Sequence, residues 1–143
     1  MKITQISVFL ENKKGRLYEV CSLLGQKGVN IKALNVADSE DFGILRIVVD
    51  NPEEAVKALR ESGFIAKLNE IVAVEVGDKP GGLAEILKIF SDDDINVEYM
   101  YGFVEKFSEK AVLVFKFEHP DKAISLLSRH NIRIIGKHDI RNM

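Results

Sequence analysis

The chain states one pattern twice. Residues 11–34 (ENKKGRLYEVCSLLGQKGVNIKAL) align without a gap on residues 77–100 (GDKPGGLAEILKIFSDDDINVEYM) at a constant offset of 66. Lys13/Lys79, Gly15/Gly81, Leu17/Leu83, Glu19/Glu85 and Asn30/Asn96 are identical, and the apolar positions keep their places. A duplication of this length is one folding unit used twice. It restricts the chain to two similar lobes, and it means that any site comes in two unequal copies.

Size and charge narrow the classes further. The 143 residues are 46% apolar. Two units of about 70 residues each lie near the lower end of independent stability and are expected to pack on each other. A net charge of −2 gives no electrostatic footprint for nucleic acid and no polybasic membrane patch. Cys21 is the only cysteine, which excludes an intramolecular disulfide and suits a reducing compartment. The start, MKITQISVFLENKKG, lacks the apolar stretch of a signal peptide, and no apolar run approaches the ~20 residues of a bilayer span. The expectation is a soluble cytoplasmic protein with neither nucleic acid nor membrane as partner.

Each repeat reads as βαββαβ. Gln5–Leu10 alternates, with Ile6, Val8 and Leu10 on one face. Leu17, Val20, Cys21 and Leu24 then follow the spacing of one helix face, which predicts a buried, inert Cys21, and Gly28 is a helix stop. Ile31–Ala37 and Ile44–Val49 predict a hairpin around DSEDFG. Asn51-Pro52 starts a second helix with Ala55, Val56 and Leu59 inward, and Phe64–Leu68 is a short closing strand. The second copy repeats each step: Val72, Val74 and Val76 alternate, and Leu83, Ile86, Leu87 and Phe90 face inward. Val97–Val104 and Val112–Phe117 form a hairpin around EKFSEK, His119-Pro120 starts a helix, and Arg133–His138 closes the unit as a strand. Alternation puts Val97, Tyr99, Tyr101 and Phe103 on one strand face and Met100 and Val104 on the other, so this strand is expected to be covered on both sides. The fold class predicted is α+β: two tandem ferredoxin-like units, residues 1–69 and 70–143, each an antiparallel four-stranded sheet with helices on one face, packed side by side. Asn69-Glu70 is the only break between the last strand of one and the first of the next.

The residues most suited to chemistry sit at the first strand-to-helix turn. Asn12-Lys13-Lys14-Gly15 and Asp78-Lys79-Pro80-Gly81 share one layout, and Pro-Gly fits the centre of a type II turn whose Gly has positive φ. The helix begins at once, so unpaired N–H groups and the positive dipole end face the turn, and a carboxylate can dock there. Asn12 or Asp78 stands at the rim; an amide both donates and accepts, whereas an ionised Asp only accepts. Asn30 and Asn96 recur at the helix-to-strand return and are expected to approach turns 12–15 and 78–81. A structural role competes at each place, because Gly serves turns and Asn bonds local backbone. Asp92-Asp93-Asp94 reads as a solvated turn rather than a calcium loop. The three histidines lack metal-ligand spacing, so neither a metal nor a cofactor is expected. No catalytic constellation is found.

The string N-x-x-G-x-L…G-V-N-I, repeated as D-K-P-G-G-L…D-I-N-V within βαββαβ units, resembles ACT domains, small regulatory modules that bind amino acids. FLENKKGRL and EYMYGF are similar to strings of the stand-alone tandem ACT proteins. In the ACT domains of serine-regulated phosphoglycerate dehydrogenases, polar residues of the first turn and the Asn after the first helix hold the effector. By position the resemblance implies Asn12, Gly15, Arg16, Leu17, Asn30 and Ile31 as ligand-binding residues of the first unit. In the second it implies Asp78, Gly81, Gly82, Leu83, Asn96 and Val97. Leu10 and Val76 stand where the family carries a histidine, so the effector stays open among aromatic, histidine-like and branched-chain amino acids. The resemblance implies a non-catalytic sensor that binds a free amino acid at an ACT–ACT interface, forms a homodimer and acts on a target enzyme. The alternative is a regulatory subunit similar to the acetolactate synthase small subunit, acting mainly through a protein interface. Ferredoxin-like sheets also occur in RNA-binding RRM proteins, but the net charge and the lack of an RNP1-like string count against that reading.

Overall fold

The computed structural model describes residues 1–11, 13–38, 42–104 and 109–143. The hairpin tips expected around DSEDFG and EKFSEK lie partly outside these residues, and Asn12 lies outside them entirely. The chain divides into two compact units, Thr4–Asn69 and Glu70–Met143 together with Met1–Ile3.

In the N-terminal unit, β1 (Ile3–Glu11) leads into α1 (Arg16–Gln26), β2 (Ile31–Asp38), β3 (Phe42–Val49), α2 (Pro52–Glu61) and the first part of β4 (Ile65–Val76). The antiparallel sheet has the order β2-β3-β1-β4. Ile6 pairs with Ile47 and Val8 with Leu45 across β1 and β3, so these four side chains point to one face. There they meet Val20 and Leu24 of α1 and Ala55 and Leu59 of α2. Full burial of one such aliphatic side chain is worth roughly 1.5–3 kcal/mol, and that stripe keeps both helices on one side of the sheet. Asn51 caps α2, accepting from the Glu54 N–H at 3.3 Å, and Pro52 occupies the first turn as expected.

The C-terminal unit runs from the second part of β4 through α3 (Gly82–Asp92), β5 (Val97–Gly102), β6 (Ala111–Phe117), α4 (Pro120–Arg129), β7 (Ile134–Ile135) and α5 (Lys137–Arg141). β4 pairs with β6 on one side and β7 on the other, and β5 pairs with β6. Phe90 of α3 meets Phe115 edge-on at 5.4 Å and Phe117 at 5.0 Å. Such pairs add about 0.5–1.5 kcal/mol beyond the area they bury. Among the described residues no helix is long and apolar enough to cross a membrane.

Four expectations need correction. Asn69-Glu70 does not break the chain into two strands, because β4 continues from Ile65 to Val76. Both polar side chains find partners from inside the strand: Asn69 accepts from Ser7 Oγ at 2.6 Å, and Glu70 faces Lys2 at 3.6 Å. The closing strand expected over Arg133–His138 shrinks to Ile134–Ile135, because Asp139 accepts from the Gly136 N–H at 2.9 Å and starts α5. Cys21 is exposed rather than buried; the inward stripe of α1 is Val20 and Leu24 with Leu23 beside them.

The fourth correction concerns strand faces. A register shift falls between Ile31 and Ala33 in β2 and again between Val97 and Tyr99 in β5. Lys32 and Glu98 are the extra residues of these bulges. Each bulge turns the strand's first residue, Ile31 or Val97, onto its unit's core. Val97 therefore shares a face with Met100, not with Tyr99 and Tyr101. The two tyrosine rings stack at 6.5 Å; Tyr101 is buried, whereas Val104 is exposed.

Candidate functional site

The two strand-to-helix turns take the geometry that their residues dictate. The Arg16 N–H reaches the Lys13 carbonyl at 3.4 Å and the Gly82 N–H reaches the Lys79 carbonyl at 3.0 Å. Gly15 has φ 90° and ψ −9°, and Gly81 has φ 83° and ψ −6°. These are values for the third residue of a type II turn, where a Cβ costs energy. Each glycine is also the N-cap of its helix, with no side chain bonded over the helix start. A glycine N-cap offers no side chain of its own to the first-turn N–H groups of α1 and α3, which point out of the helix ends.

The two turns differ in what surrounds them. In the N-terminal unit Glu11, Lys13, Arg16 and Glu19 form an ion-pair chain. Lys13 meets Glu11 at 2.9 Å, Arg16 meets Glu19 at 2.9 Å, and Arg16 meets Glu11 at 3.8 Å. The hydrogen bond from Lys13, then the charges of Lys13 and Arg16, hold the Glu11 carboxyl below the usual carboxylate range. In the C-terminal unit glycines replace two members of this chain, Gly77 at the place of Glu11 and Gly82 at that of Arg16. The Gly77 carbonyl lies against Gly82 where a side chain would stand. Only Lys79 and Glu85 are left to pair, at 3.7 Å.

Asn30 and Asn96 are not near these turns. The 11-residue helix α1 separates Gly15 from Asn30, and α3 separates Gly81 from Asn96 in the same way. At 1.5 Å per residue the separation is about 16 Å. The expected approach of each Asn to its own turn is therefore corrected: one ligand touches both only when different copies of the fold supply them. Each Asn is instead bound to the end of the neighbouring strand. The Asn30 N–H donates to Asp50 Oδ1 at 3.0 Å, and the Asp50 N–H returns to the Asn30 carbonyl at 3.2 Å. In the second copy Asn96 Nδ2 donates to Glu118 Oε2 at 3.4 Å, and the Glu118 N–H reaches the Asn96 carbonyl at 3.3 Å.

Two hollows adjoin these residues. A groove of about 550 Å³ opens in the N-terminal unit. α1 contributes Arg16, Tyr18, Glu19, Ser22 and Leu23 to its lining, the end of β1 contributes Leu10 and Glu11, and Phe64 and Ile65 join at the entry to β4. A smaller hollow of about 320 Å³ lies at the far end of α3, where Asn96 and Val97 meet Leu87 and Phe90. Of the residues expected to bind a ligand, Arg16 lines the first hollow and Asn96 and Val97 the second. Gly15, Leu17, Asn30 and Ile31, with Asp78, Gly81, Gly82 and Leu83, line neither. Sequence reading did not find Tyr18, Ser22 and Phe64, because the first two stand one turn apart on α1 while Phe64 comes from the approach to β4, far along the chain. The signal that could have found Tyr18 and Ser22 is their i, i+4 spacing on the same predicted helix as Arg16. Cys21 stands outside both hollows, and partial desolvation raises its thiol above the ordinary range, so it is a weak nucleophile near neutrality.

A family model described as an ACT domain pair matches residues 1–143. The acetolactate synthase small subunit of Buchnera aphidicola subsp. Baizongia pistaciae is 33% identical over 91 residues, 62% of this chain; the match spans 57% of that relative's length. The crystal structure of protein BT0572 from Bacteroides thetaiotaomicron superimposes with a TM-score of 0.93 at 35% identity, over 100% of this chain and 98% of the other. The ligand-free regulatory subunit of aspartate kinase from Thermus thermophilus shares the fold, with a TM-score of 0.62 at 20% identity over 88% of this chain and 91% of that one. Two βαββαβ units in tandem, each opening its first helix on a left-handed glycine, and a match over the full length lead to one assignment: the chain belongs to the ACT domain pair family.

Proposed function

We propose that this protein is a non-catalytic regulatory module whose two ACT units, residues 1–69 and 70–143, respond to a free amino acid and transmit its binding to a target enzyme. The observation that carries the reading is the duplicated type II turn. Gly15 and Gly81 each place at the surface a helix N-terminus whose N-cap residue carries no side chain, the geometry that accepts a carboxylate. Asn12, Gly15, Arg16 and Leu17, or Asp78, Gly81, Gly82 and Leu83, would meet the ligand's carboxylate and ammonium groups. Asn30 and Ile31, or Asn96 and Val97, would join from another copy of the fold. A homodimer fits this requirement. β2 is an edge strand of its sheet with Leu34 and Val36 exposed, and such an edge invites pairing with a second copy. A single cysteine suits a cytoplasmic setting. Regulation then requires tighter binding to one arrangement of the copies than to the other.

Calorimetry of the full chain against the twenty amino acids tests the reading. Binding of at least one, weakened unequally by Asn30→Ala and Asn96→Ala, is the expected result; no heat from any at millimolar concentration would refute it. A second reading draws on the relative named as an acetolactate synthase small subunit: a subunit held constitutively on its enzyme. Stoichiometric recovery of an enzyme without added ligand favours that reading.

A further inference from the structure

We infer that the groove beside α1 is the effector's side-chain pocket, that it selects amino acids with bulky apolar side chains, and that the chain binds one ligand rather than two. The inference rests on the amino-acid reading above and narrows it. Every residue lining the groove belongs to the N-terminal unit. Leu10 is buried, and Leu23 and Phe64 pack on the same core, so these walls are apolar and held in place. At the rim Tyr18, Phe42 and Ile65 are exposed. Exposed apolar side chains gathered around one hollow are a feature of ligand-binding grooves. The volume, about 550 Å³, lies in the range of small-molecule sites.

The polar end of the groove has the chemistry of a zwitterion receptor. Arg16 and Glu11 both line it, and their 3.8 Å contact is the loosest in the ion-pair chain. Arg16 is steadied from its other side by Glu19 at 2.9 Å, and Glu11 by Lys13 at 2.9 Å. An amino acid entering between them sets its carboxylate on the Arg16 guanidinium and its ammonium on the Glu11 carboxylate. The weak pair is exchanged for two opposed charge contacts, and the ligand's side chain is left directed at Leu23 and Phe64. Arg16 is the first residue of α1, so the helix start adds its partial positive charge to the same carboxylate.

The second copy keeps Lys79 and Glu85 but lacks the pair that would receive the zwitterion. The counterparts of Glu11 and Arg16 are Gly77 and Gly82, and those of Tyr18 and Ser22 are Ala84 and Lys88. With the Gly77 carbonyl seated against Gly82, no side-chain charge pair can form between positions 77 and 82, and the hollow beside Asn96 and Val97 lies at the opposite end of α3.

The test is calorimetry of the full chain with L-phenylalanine and L-leucine beside glycine, serine, aspartate and lysine. It is combined with the variants Arg16→Gln, Glu11→Gln and Ser22→Phe, and with Lys88→Ala as the control in the second copy. The expected result is one ligand per chain, with the bulky apolar amino acids at least about tenfold tighter than glycine. Each of the three groove variants should weaken binding by about tenfold or more, and Lys88→Ala should leave it unchanged. Circular dichroism of each variant separates loss of binding from loss of fold. A polar or charged amino acid as the tightest ligand overturns the inference and leaves the amino-acid reading standing. So does a stoichiometry of two, or binding indifferent to Arg16→Gln and Ser22→Phe in folded variants. Silence from all twenty amino acids removes both.

Discussion

Gly82 lies directly beneath the carbonyl of Gly77, so close that a Cβ added to Gly82 would overlap that oxygen. Backbone is the obstructing group, and it cannot swing aside as a flexible side chain would. Gly82→Ala should therefore destabilise the protein by about 1–3 kcal/mol. The corresponding place in the N-terminal unit already carries Arg16, and Arg16→Ala should cost well under half as much. Urea unfolding of the two variants measures the difference. Equal losses would mean that the two turns are not built differently.

The glycines that end the turns are a separate case. Among the described residues nothing stands within 4 Å of a Cβ added to Gly15 or Gly81, yet both hold positive φ. The penalty for Ala is then conformational alone, about 1–2 kcal/mol at each place. Asn tolerates the left-handed region better, so Gly15→Asn and Gly81→Asn should cost less than the Ala variants. Thermal melts of the four variants check the ranking.

The two later helices begin unequally. Asn51 bonds the Glu54 N–H over the start of α2, whereas His119, at the same place before α4, makes no capping bond. Asn51→Ala should cost about 1 kcal/mol, and His119→Asn should gain up to about 1 kcal/mol. Denaturant midpoints give both signs, and a loss of stability in His119→Asn would contradict the expected cap.

Acid should act partly through Glu11. Its carboxyl is held below the usual range in the folded state, first by the hydrogen bond from Lys13 and then by the charges of Lys13 and Arg16. A carboxylate with a depressed folded pKa contributes stability that is complete above its unfolded pKa and is lost as pH falls through the folded value. Glu11→Gln should therefore lose that small contribution at neutral pH, match the parent below the folded value, and so flatten the acid limb of the stability curve between those two values. Lys2 works in the opposite direction. Its pKa is raised chiefly by the hydrogen bond to Asp121, so its contribution is present below the unfolded pKa and fades as pH rises through the folded one. Asp121→Asn should reduce that alkaline component, leaving the part that Glu70 supplies. Both groups lie at the surface, so added salt should shrink both effects.

What the sequence determined by itself was local or repeated. Alternation in β1, the apolar stripes of the four long helices, Pro-Gly at the second turn and Asn51-Pro52 before α2 each act over a few residues. Backbone sterics and side-chain period suffice to read them, and the 66-residue offset carried the reading from one unit to the other. The positive φ of Gly15 and Gly81 belongs here too, since a type II turn requires it wherever it occurs. Tertiary structure alone decided whatever depends on which segments meet. The bulges at Lys32 and Glu98 reversed the faces of Ile31 and Val97, because a one-residue shift in pairing is invisible to periodicity along a single strand. Asn30 ended a helix length away from Gly15. The walls of the groove come from residues up to 56 positions apart, Phe9 and Ile65 among them. Which side chains share a hollow is set by the packing of α1 and α2 on the sheet, and that packing minimises exposed apolar area over the whole unit rather than along any stretch of it.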